Sequence, residues 1–210
     1  MSRLCWVAPD QDTEPGCAFV PAVRAIHLKN IGPFADAHVQ FGPRLNFVLG
    51  EGATGKSTLL WAIEAGVTNL RAASPSVAKP DAAITVEFRK SQVSWTHPKL
   101  NSHHRSDRNV GGGERAFLAL QGWIERLTSD FALLFDSDIF GVMPEALLTE
   151  AFRMLTKSAG QIVTVLPRRF AVDDLTARKL EGRVLIARRR ADRSEECTVE
   201  AGTLNSGEFT

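Results

Sequence analysis

Gly50-Glu51-Gly52-Ala53-Thr54-Gly55-Lys56-Ser57 fits the spacing G-x-x-x-x-G-K-[ST] without a gap, and Thr58 follows. These residue types at this spacing suit a phosphate group. Glycines let backbone N–H groups turn inward around phosphate oxygens. A helix that starts where the loop ends adds its positive N-terminus. Lys56 would then reach the β- and γ-phosphates, and the Ser57 hydroxyl would ligate Mg²⁺. The flanks supply the required context: Leu45 to Leu49 reads as a short buried strand and LLWAIEAG as a helix, so strand, loop and helix follow in order. The alternative is a glycine-rich turn before an ordinary helix, which the complete pattern and its flanks disfavour.

Two further groups of residues have chemical potential. The apolar run FALLF (131–135) ends at Asp136. A buried strand that ends in Asp downstream of a phosphate loop places a carboxylate beside the Mg²⁺ site. Asn109-Val110-Gly111-Gly112-Gly113-Glu114-Arg115 opens a stretch in which Phe117, Leu120, Ile124 and Leu127 recur at helical spacing. At the head of that helix the bare amides of Gly112 and Gly113 can approach a ligand closely.

The elements that must position these groups read as follows. VRAIHLKNI from Val23 alternates as a strand, Gly32-Pro33 marks a turn, and AHVQF (37–41) is its hairpin partner. The first helix spans about 55–64, residues 67–80 read as a loop, and AITVEF (83–88) with QVSWTH (92–97) reads as a second hairpin. Pro144 opens a helix with Leu147, Leu148, Ala151, Phe152 and Leu155 on its apolar face, and Gly160 ends it. QIVTVL (161–166) is a buried strand, Asp173-Asp174 precede a short helix to about Leu180, and GRVLIARRR (182–190) is a last strand. His27 and His38 have no second metal-type ligand at suitable spacing and read as structural or surface histidines. The polar stretch 98–108, with His103-His104-Arg105, reads as a solvated loop, with phosphate contact as the alternative. The same pair of readings applies to Arg188, Arg189, Arg190 and Arg193.

The chain of 210 residues is 44% apolar and 23% charged, ordinary for a globular protein, and its net charge of +1 announces no global nucleic-acid field. No run reaches the ~18 apolar residues of a membrane span. The N-terminus has neither a signal peptide's basic start nor its long apolar core. Cys5, Cys17 and Cys197 are scattered without metal-type spacing, and reduced thiols in a cytoplasm account for them.

With phosphate loop, glycine-led helix and acidic strand in this order, the chain resembles ABC-class ATPase heads, and within them the SMC/RecF group of DNA-maintenance ATPases. IHLKNIGPFADAHVQFGPRLNFVLGEGATGKSTLLWAI is similar to the N-terminal lobe of that group. Gly111-Gly112-Gly113-Glu114-Arg115 occupies the place of its S-G-G-E signature, and Asp136 that of its Walker B carboxylate. The resemblance covers about residues 22–190. It implies a sandwich in which two heads enclose two ATP molecules, the signature of one capping the γ-phosphate held by the other.

The departures concern the γ-phosphate. Gly52-Ala53 stands where the family usually carries Asn-Gly, Gly111 where it has the signature serine, Ser137 where a carboxylate polarises the attacking water, and Leu166 where the switch histidine falls. A missing general base costs ~10²–10⁴-fold in rate. Retained ATP binding with slow hydrolysis follows, with Asp138 as a partial substitute. Only about fifty residues separate Ser57 from the signature, so no coiled-coil arm is inserted there.

The expected fold is α/β: a P-loop NTPase with a mainly parallel core sheet and an antiparallel N-terminal lobe, nucleotide lying at the C-terminal ends of the core strands. The expected organisation is an irregular extension over 1–20, one ATPase domain over 21–195 and a polar tail over 196–210. Lys56, Asp136 and Asp138 are the candidate catalytic residues. Gly50, Glu51, Gly52, Ala53, Thr54, Gly55, Lys56, Ser57, Thr58, Gly112 and Gly113 are the candidate ATP contacts, and Ser57 and Asp136 the Mg²⁺ ligands. Expected partners are ATP, a second head of the same or another chain, and DNA reached through a partner or basic loops. A non-hydrolysing nucleotide-gated regulatory module is the alternative. A transporter nucleotide-binding subunit or a small-molecule kinase, hinted at only by Arg168-Arg169, fits less well.

Overall fold

The apolar runs fold into two sheets with one helix between them. The computed structural model describes residues 17–68, 78–89, 111–167, 170, 172–178, 180–191 and 196–203. In chain order the elements are β1 (Cys17–Pro21), β2 (Val23–Ile31), β3 (Phe34–Gln40), β4 (Leu45–Gly50), α1 (Lys56–Thr68), β5 (Ala78–Phe88), α2 (Gly112–Arg126), β6 (Phe131–Phe135), α3 (Asp138–Gly141), α4 (Glu145–Thr156), β7 (Gln161–Val165), α5 (Val172–Ala177), β8 (Arg183–Arg189) and β9 (Cys197–Thr203).

The core sheet has the order β1-β6-β7-β4-β8-β9. Its four inner strands run parallel, and β1 and β9 close the edges antiparallel. The inner strands are mostly apolar because both faces are covered, with Asn46, Gln161 and Thr164 as buried polar exceptions and β8 turning exposed at Arg188 and Arg189. Leu45, Phe47 and Leu49 of β4 join Leu133 and Phe135 of β6 in a cluster with α2, α4 and α5. Val48, Ala132 and Leu134 face the other way, into a cluster with α1 and the second sheet. That second sheet, ordered β3-β2-β5, is antiparallel. Together they form the expected α/β core and antiparallel lobe.

Helix α1 lies between the sheets, so it is buried on nearly every side: Leu59, Leu60, Ala62, Ile63, Glu64 and Ala65 are all buried. Helix α2 packs on α3 and α4 through Ala116, Ala119, Leu120 and Trp123. The stripe expected from Phe117, Leu120, Ile124 and Leu127 is thus rotated. Phe117 and Ile124 sit half-buried at its margin, because small alanines let the helices approach and Trp123 fills the space against Phe135.

Both edges differ from expectation. Residues 17–20, read as part of an irregular extension, form β1, whose Phe19 packs on one face and Ala18 and Val20 on the other. Residues 197–203, read as a polar tail, form β9 against β8, with Cys197 N–H donating to the Pro33 carbonyl at 2.8 Å. These segments gain order from pairing to a neighbour's free edge rather than from their own pattern. β5 begins inside the expected 67–80 loop, Pro80 and left-handed Asp81 (φ 61°) being accommodated where its register to β2 shifts. The expected partner strand 92–97, the stretch 98–108 with His103-His104-Arg105, Arg168-Arg169 and Arg193 lie outside the described residues.

Two buried amides lock the lobe to the core. Gln161 Oε1 accepts from Val23 N–H at 2.8 Å, and its Nε2 donates to the Val23 and Gly42 carbonyls at 2.8 and 2.7 Å. Asn46 Oδ1 accepts from Gly42 N–H at 2.6 Å, and its Nδ2 donates to Gly42, Arg44 and Ile162 carbonyls. Buried backbone groups deprived of partners cost ~1–3 kcal/mol each. Gln161→Leu keeps the volume and strips the Val23 N–H and carbonyl, whereas the Gly42 carbonyl keeps the Asn46 amide, so denaturant unfolding at pH 7 should show a loss of roughly 2 kcal/mol. Glu64 is also buried, and burial raises its pKa above the ordinary glutamate value. A raised acid binds more protons folded than unfolded, so its contribution is full below ~pH 4.3 and is lost as pH rises through the folded pKa. The stability advantage of Glu64→Gln over the native chain should therefore grow across that window, as read by denaturant melts from pH 4 upward.

Candidate nucleotide-binding site

The inner strands of the core sheet are parallel, so their C-terminal ends share one rim, and Gly50, Asp136 and Ala187 all lie on it. β4 stops there because the chain turns into conformations that a strand cannot hold. Gly50 has φ 143° and Gly55 φ 85°. Neither position has room for a side chain. A Cβ on Gly50 would lie 2.3 Å from the Ala187 carbonyl of β8, and one on Gly55 would lie 2.6 Å from Pro33 and 2.7 Å from the Phe34 ring. The turn between β2 and β3 therefore braces the loop from the lobe side, and β8 braces it from the core side.

Inside the loop the polar groups hold one another. The buried Thr54 hydroxyl donates to the Glu51 carbonyl at 2.9 Å. Lys56 Nζ folds back over the loop and donates to the Gly50 and Glu51 carbonyls at 2.9 and 2.5 Å. Pulling these carbonyls toward the lysine leaves the peptide N–H groups on the opposite side. Helix α1 starts at Lys56 with no acidic residue in its first turn, so its positive end is not neutralised from within.

Asp136 ends β6, and β7 separates that strand from β4. The sheet nevertheless brings residues 79 positions apart into contact: Ser57 Oγ donates to Asp136 Oδ2 at 2.5 Å. The other carboxylate oxygen, Oδ1, accepts from Ser137 N–H at 2.5 Å, which fixes the carboxylate plane. A hydroxyl and a carboxylate side by side are hard oxygen donors of the kind Mg²⁺ selects, so the residues present fit a magnesium nucleotide. Asp138 is exposed on the first turn of α3, and the Ser57 bond goes to Asp136 instead. Ser137 is half-buried just before α3, and Leu166 is buried with its N–H on the Val48 carbonyl.

Gly112 and Gly113 open α2 with Gly111 as the capping residue, and the Gly111 N–H donates to Glu114 Oε2 at 3.3 Å. A Cβ on Gly111 or Gly112 would touch nothing within 4 Å, whereas one on Gly113 would meet the Val142 carbonyl at 2.5 Å. Packing explains Gly113 and leaves Gly111 and Gly112 as bare, exposed backbone. Among the described residues this helix end shares no hydrogen bond with the phosphate loop. Lys56, Ser57 and Asp136 are thus brought together, and no such bond ties Gly112 or Gly113 to them among the described residues. Pro33, Phe34 and Ala187, which shape the loop, escaped the sequence reading. The Gly32-Pro33 turn was visible, but its contact with Gly55 depends on how the lobe docks.

Ala53 holds φ 58°. A Cβ in the left-handed region costs ~1–2 kcal/mol, partly offset because alanine restricts the unfolded chain. Ala53→Gly should therefore stabilise the protein by about 0.5–1 kcal/mol, a rise of a few degrees in melting temperature. A fall in melting temperature would show that the Ala53 methyl makes a contact worth more than its strain.

A family model described as an AAA domain matches residues 25–131, about half of the chain. The DNA replication and repair protein RecF of Synechococcus sp. (strain JA-2-3B'a(2-13)) is 28% identical over 109 residues, 52% of this chain and 28% of that protein. The chain therefore spans little more than a quarter of that curated relative. Among solved structures, an SMC head bound to the C-winged helix domain of ScpA superposes with a TM-score of 0.59 at 11% identity, over 88% of this chain and 99% of that one. The SMC head domain from Thermotoga maritima does so with a TM-score of 0.55 at 11% identity, over 86% and 99%. The family match covers the phosphate loop and ends where β6 begins, and the structural likeness extends over most of the chain: the chain belongs to the AAA domain family of P-loop ATPases and has the fold of an SMC/RecF-like head.

Proposed function

We propose that the chain binds Mg-ATP on residues 50–58 and hydrolyses it slowly, using the nucleotide to hold its head against a second one. The observation that carries this reading is the 2.5 Å bond from Ser57 to Asp136 at the mouth of a loop that excludes side chains at Gly50 and Gly55. In this reading Ser57 and Asp136 hold Mg²⁺, which offsets phosphate charge. The loop amides and the α1 N-terminus hold the phosphates, and Lys56 leaves its two carbonyls to reach them.

Slow turnover follows from three positions. Ser137 carries no group basic enough to accept a proton from water, Leu166 offers only an apolar side chain, and Asp138 is exposed at the start of α3. Those same positions favour the second reading, a nucleotide-gated module with negligible hydrolysis. Head association is supported by the exposed, side-chain-free Gly111 and Gly112 at the start of α2 and by Val142, 56% exposed beside Gly113. The second head is either another copy or a different subunit. One solved SMC head carries a winged helix domain of ScpA, a precedent for a partner subunit here. The RecF relative suggests DNA maintenance as the process. The cytoplasm supplies ATP and suits the thiol of Cys197.

Light scattering with and without Mg-ATP, alongside phosphate release, tests these steps separately. Mass should double with Mg-ATP, and both nucleotide binding and doubling should be lost in Lys56→Ala. Ser137→Glu should raise phosphate release roughly 10–100-fold by restoring a general base. Failure to bind ATP would overturn the whole reading. Binding without a mass change would overturn self-association, and no detectable release in the native chain or in Ser137→Glu would leave the gated module.

A further inference from the structure

The hairpin that braces the phosphate loop carries two histidines on its outer face. A turn separates His27 from His38 in the sequence, but the register of β2 against β3 sets them directly opposite each other. Both side chains are exposed. Facing residues of an antiparallel pair have Cβ atoms ~4.5–5.5 Å apart, so long side chains there meet. The two imidazole centroids lie 6.3 Å apart, with the ring planes inclined at 63°. A stacked pair would turn its nitrogens away from a common point. An inclined pair can aim one nitrogen from each ring at the same point.

Asp36 decides which nitrogen of His27 is available. His27 Nε2 and Asp36 Oδ1 are 2.7 Å apart. A carboxylate only accepts, so the proton sits on Nε2 and donates to Asp36. The Nδ1 lone pair of the neutral ring is left for another partner. Carboxylates fix the tautomer and orientation of metal-bound histidines in this way. Among the described residues the His38 side chain makes no hydrogen bond or ion pair. Two imidazoles that share an ion at about 2.0–2.1 Å have centroids roughly 5 Å apart in tetrahedral geometry. The pair need close by only about 1 Å, which small rotations of two exposed side chains supply.

The rest of the face selects the ion. Among the described residues no third His, Cys, Asp or Glu joins the pair as a direct ligand, so water fills the remaining positions. Glu87 lines an open groove with His38, but Arg24 and Arg89 line it too, and Lys29 stands opposite Asp36. The carboxylates do not outnumber the cations, so a hard ion held by charge alone gains little here. Nitrogen lone pairs must supply the bond, which favours Zn²⁺ or Cu²⁺ over Mg²⁺ or Ca²⁺.

We infer that His27 and His38 form a metal site on the lobe, which takes a divalent transition-metal ion of the Zn²⁺ or Cu²⁺ kind, with Asp36 as its positioning residue. The bound ion clips β2 to β3 next to the turn whose Pro33 packs against Gly55. Its nitrogen ligands set it apart from the oxygen pair of Ser57 and Asp136.

The test is isothermal titration of the full, chelator-treated chain with Zn²⁺ and, separately, Cu²⁺. Excess Mg²⁺ is present throughout, so that oxygen sites are already filled. One ion per chain should bind, Cu²⁺ more tightly than Zn²⁺. His27→Ala and His38→Ala should each weaken binding roughly tenfold or more. Both positions are exposed, so these variants should melt like the native chain without metal, and only the native chain should gain melting temperature with Zn²⁺. Long-range proton–nitrogen NMR should show His27 protonated on Nε2 before metal is added. Asp36→Asn should disturb that tautomer and weaken binding about tenfold. His103→Ala/His104→Ala, which removes the pair adjacent in sequence, should bind normally. Unchanged affinity in His27→Ala and His38→Ala, lost binding in His103→Ala/His104→Ala, or no Zn²⁺ or Cu²⁺ binding at micromolar concentrations would overturn the inference. An unchanged tautomer and affinity in Asp36→Asn would overturn the role of Asp36.

Discussion

The geometry of the site depends on how closely two neighbours approach residues 50–55. The Ala187 carbonyl lies where a Cβ of Gly50 would be, and Pro33 and Phe34 lie where one of Gly55 would be. With no side chain to keep the backbone out, β8 and the β2–β3 turn press the loop from two sides. The loop is then held in one conformation by close packing, which deforms little. Lys56 and Thr54 supply the remaining restraint by hydrogen-bonding its carbonyls. A phosphate-binding loop held in this way need not be ordered by its ligand, and the binding free energy is not spent on arranging it.

The lobe has a mechanical part in this. It covers one face of α1, whose apolar residues would otherwise face water, and it delivers the Pro33–Phe34 brace. Its attachment is polar: Gln161 ties Val23 to Gly42, and Asn46 ties Gly42 to the β4–β7 pair. Such buried amides are directional, so they fix the angle at which the lobe meets the core, whereas an apolar contact would tolerate sliding. Cys197 adds a third tie, from β9 to the Pro33 carbonyl. Changes in β9 can therefore be felt at the loop without touching it.

Asp136 is held by the loop on one side and by its own turn on the other. Its carboxylate is fixed from both oxygens, one by the Ser57 hydroxyl and one by the Ser137 amide. Beyond it the polar groups thin out. Ser137 contributes its backbone to the carboxylate, Leu166 belongs to the core, and Asp138 faces solvent. The exposed end of α2 carries two glycines, Gly111 and Gly112, that no internal contact requires.

The sequence by itself determined the local chemistry. A strand, a glycine loop with Lys56 and Ser57, and a helix are specified by neighbours a few residues apart, because backbone conformation and hydrophobic period act at that range. The β2–β3 hairpin, the buried runs of β6 and β7 and the acid at Asp136 were legible for the same reason. Tertiary structure alone decided the rest. CAFVP and CTVEAGT are too short and too mixed to declare themselves as strands, and become so by pairing with β6 and β8. The buried face of α2 rotated to Ala116, Ala119 and Trp123 because the helices it meets, not its own period, set how close it packs. The meeting of Ser57 with Asp136, the bracing of Gly55 by Pro33, and the pairing of His27 with His38 all join residues separated in the chain. Strand order and register create those contacts, and neither is written in any one segment.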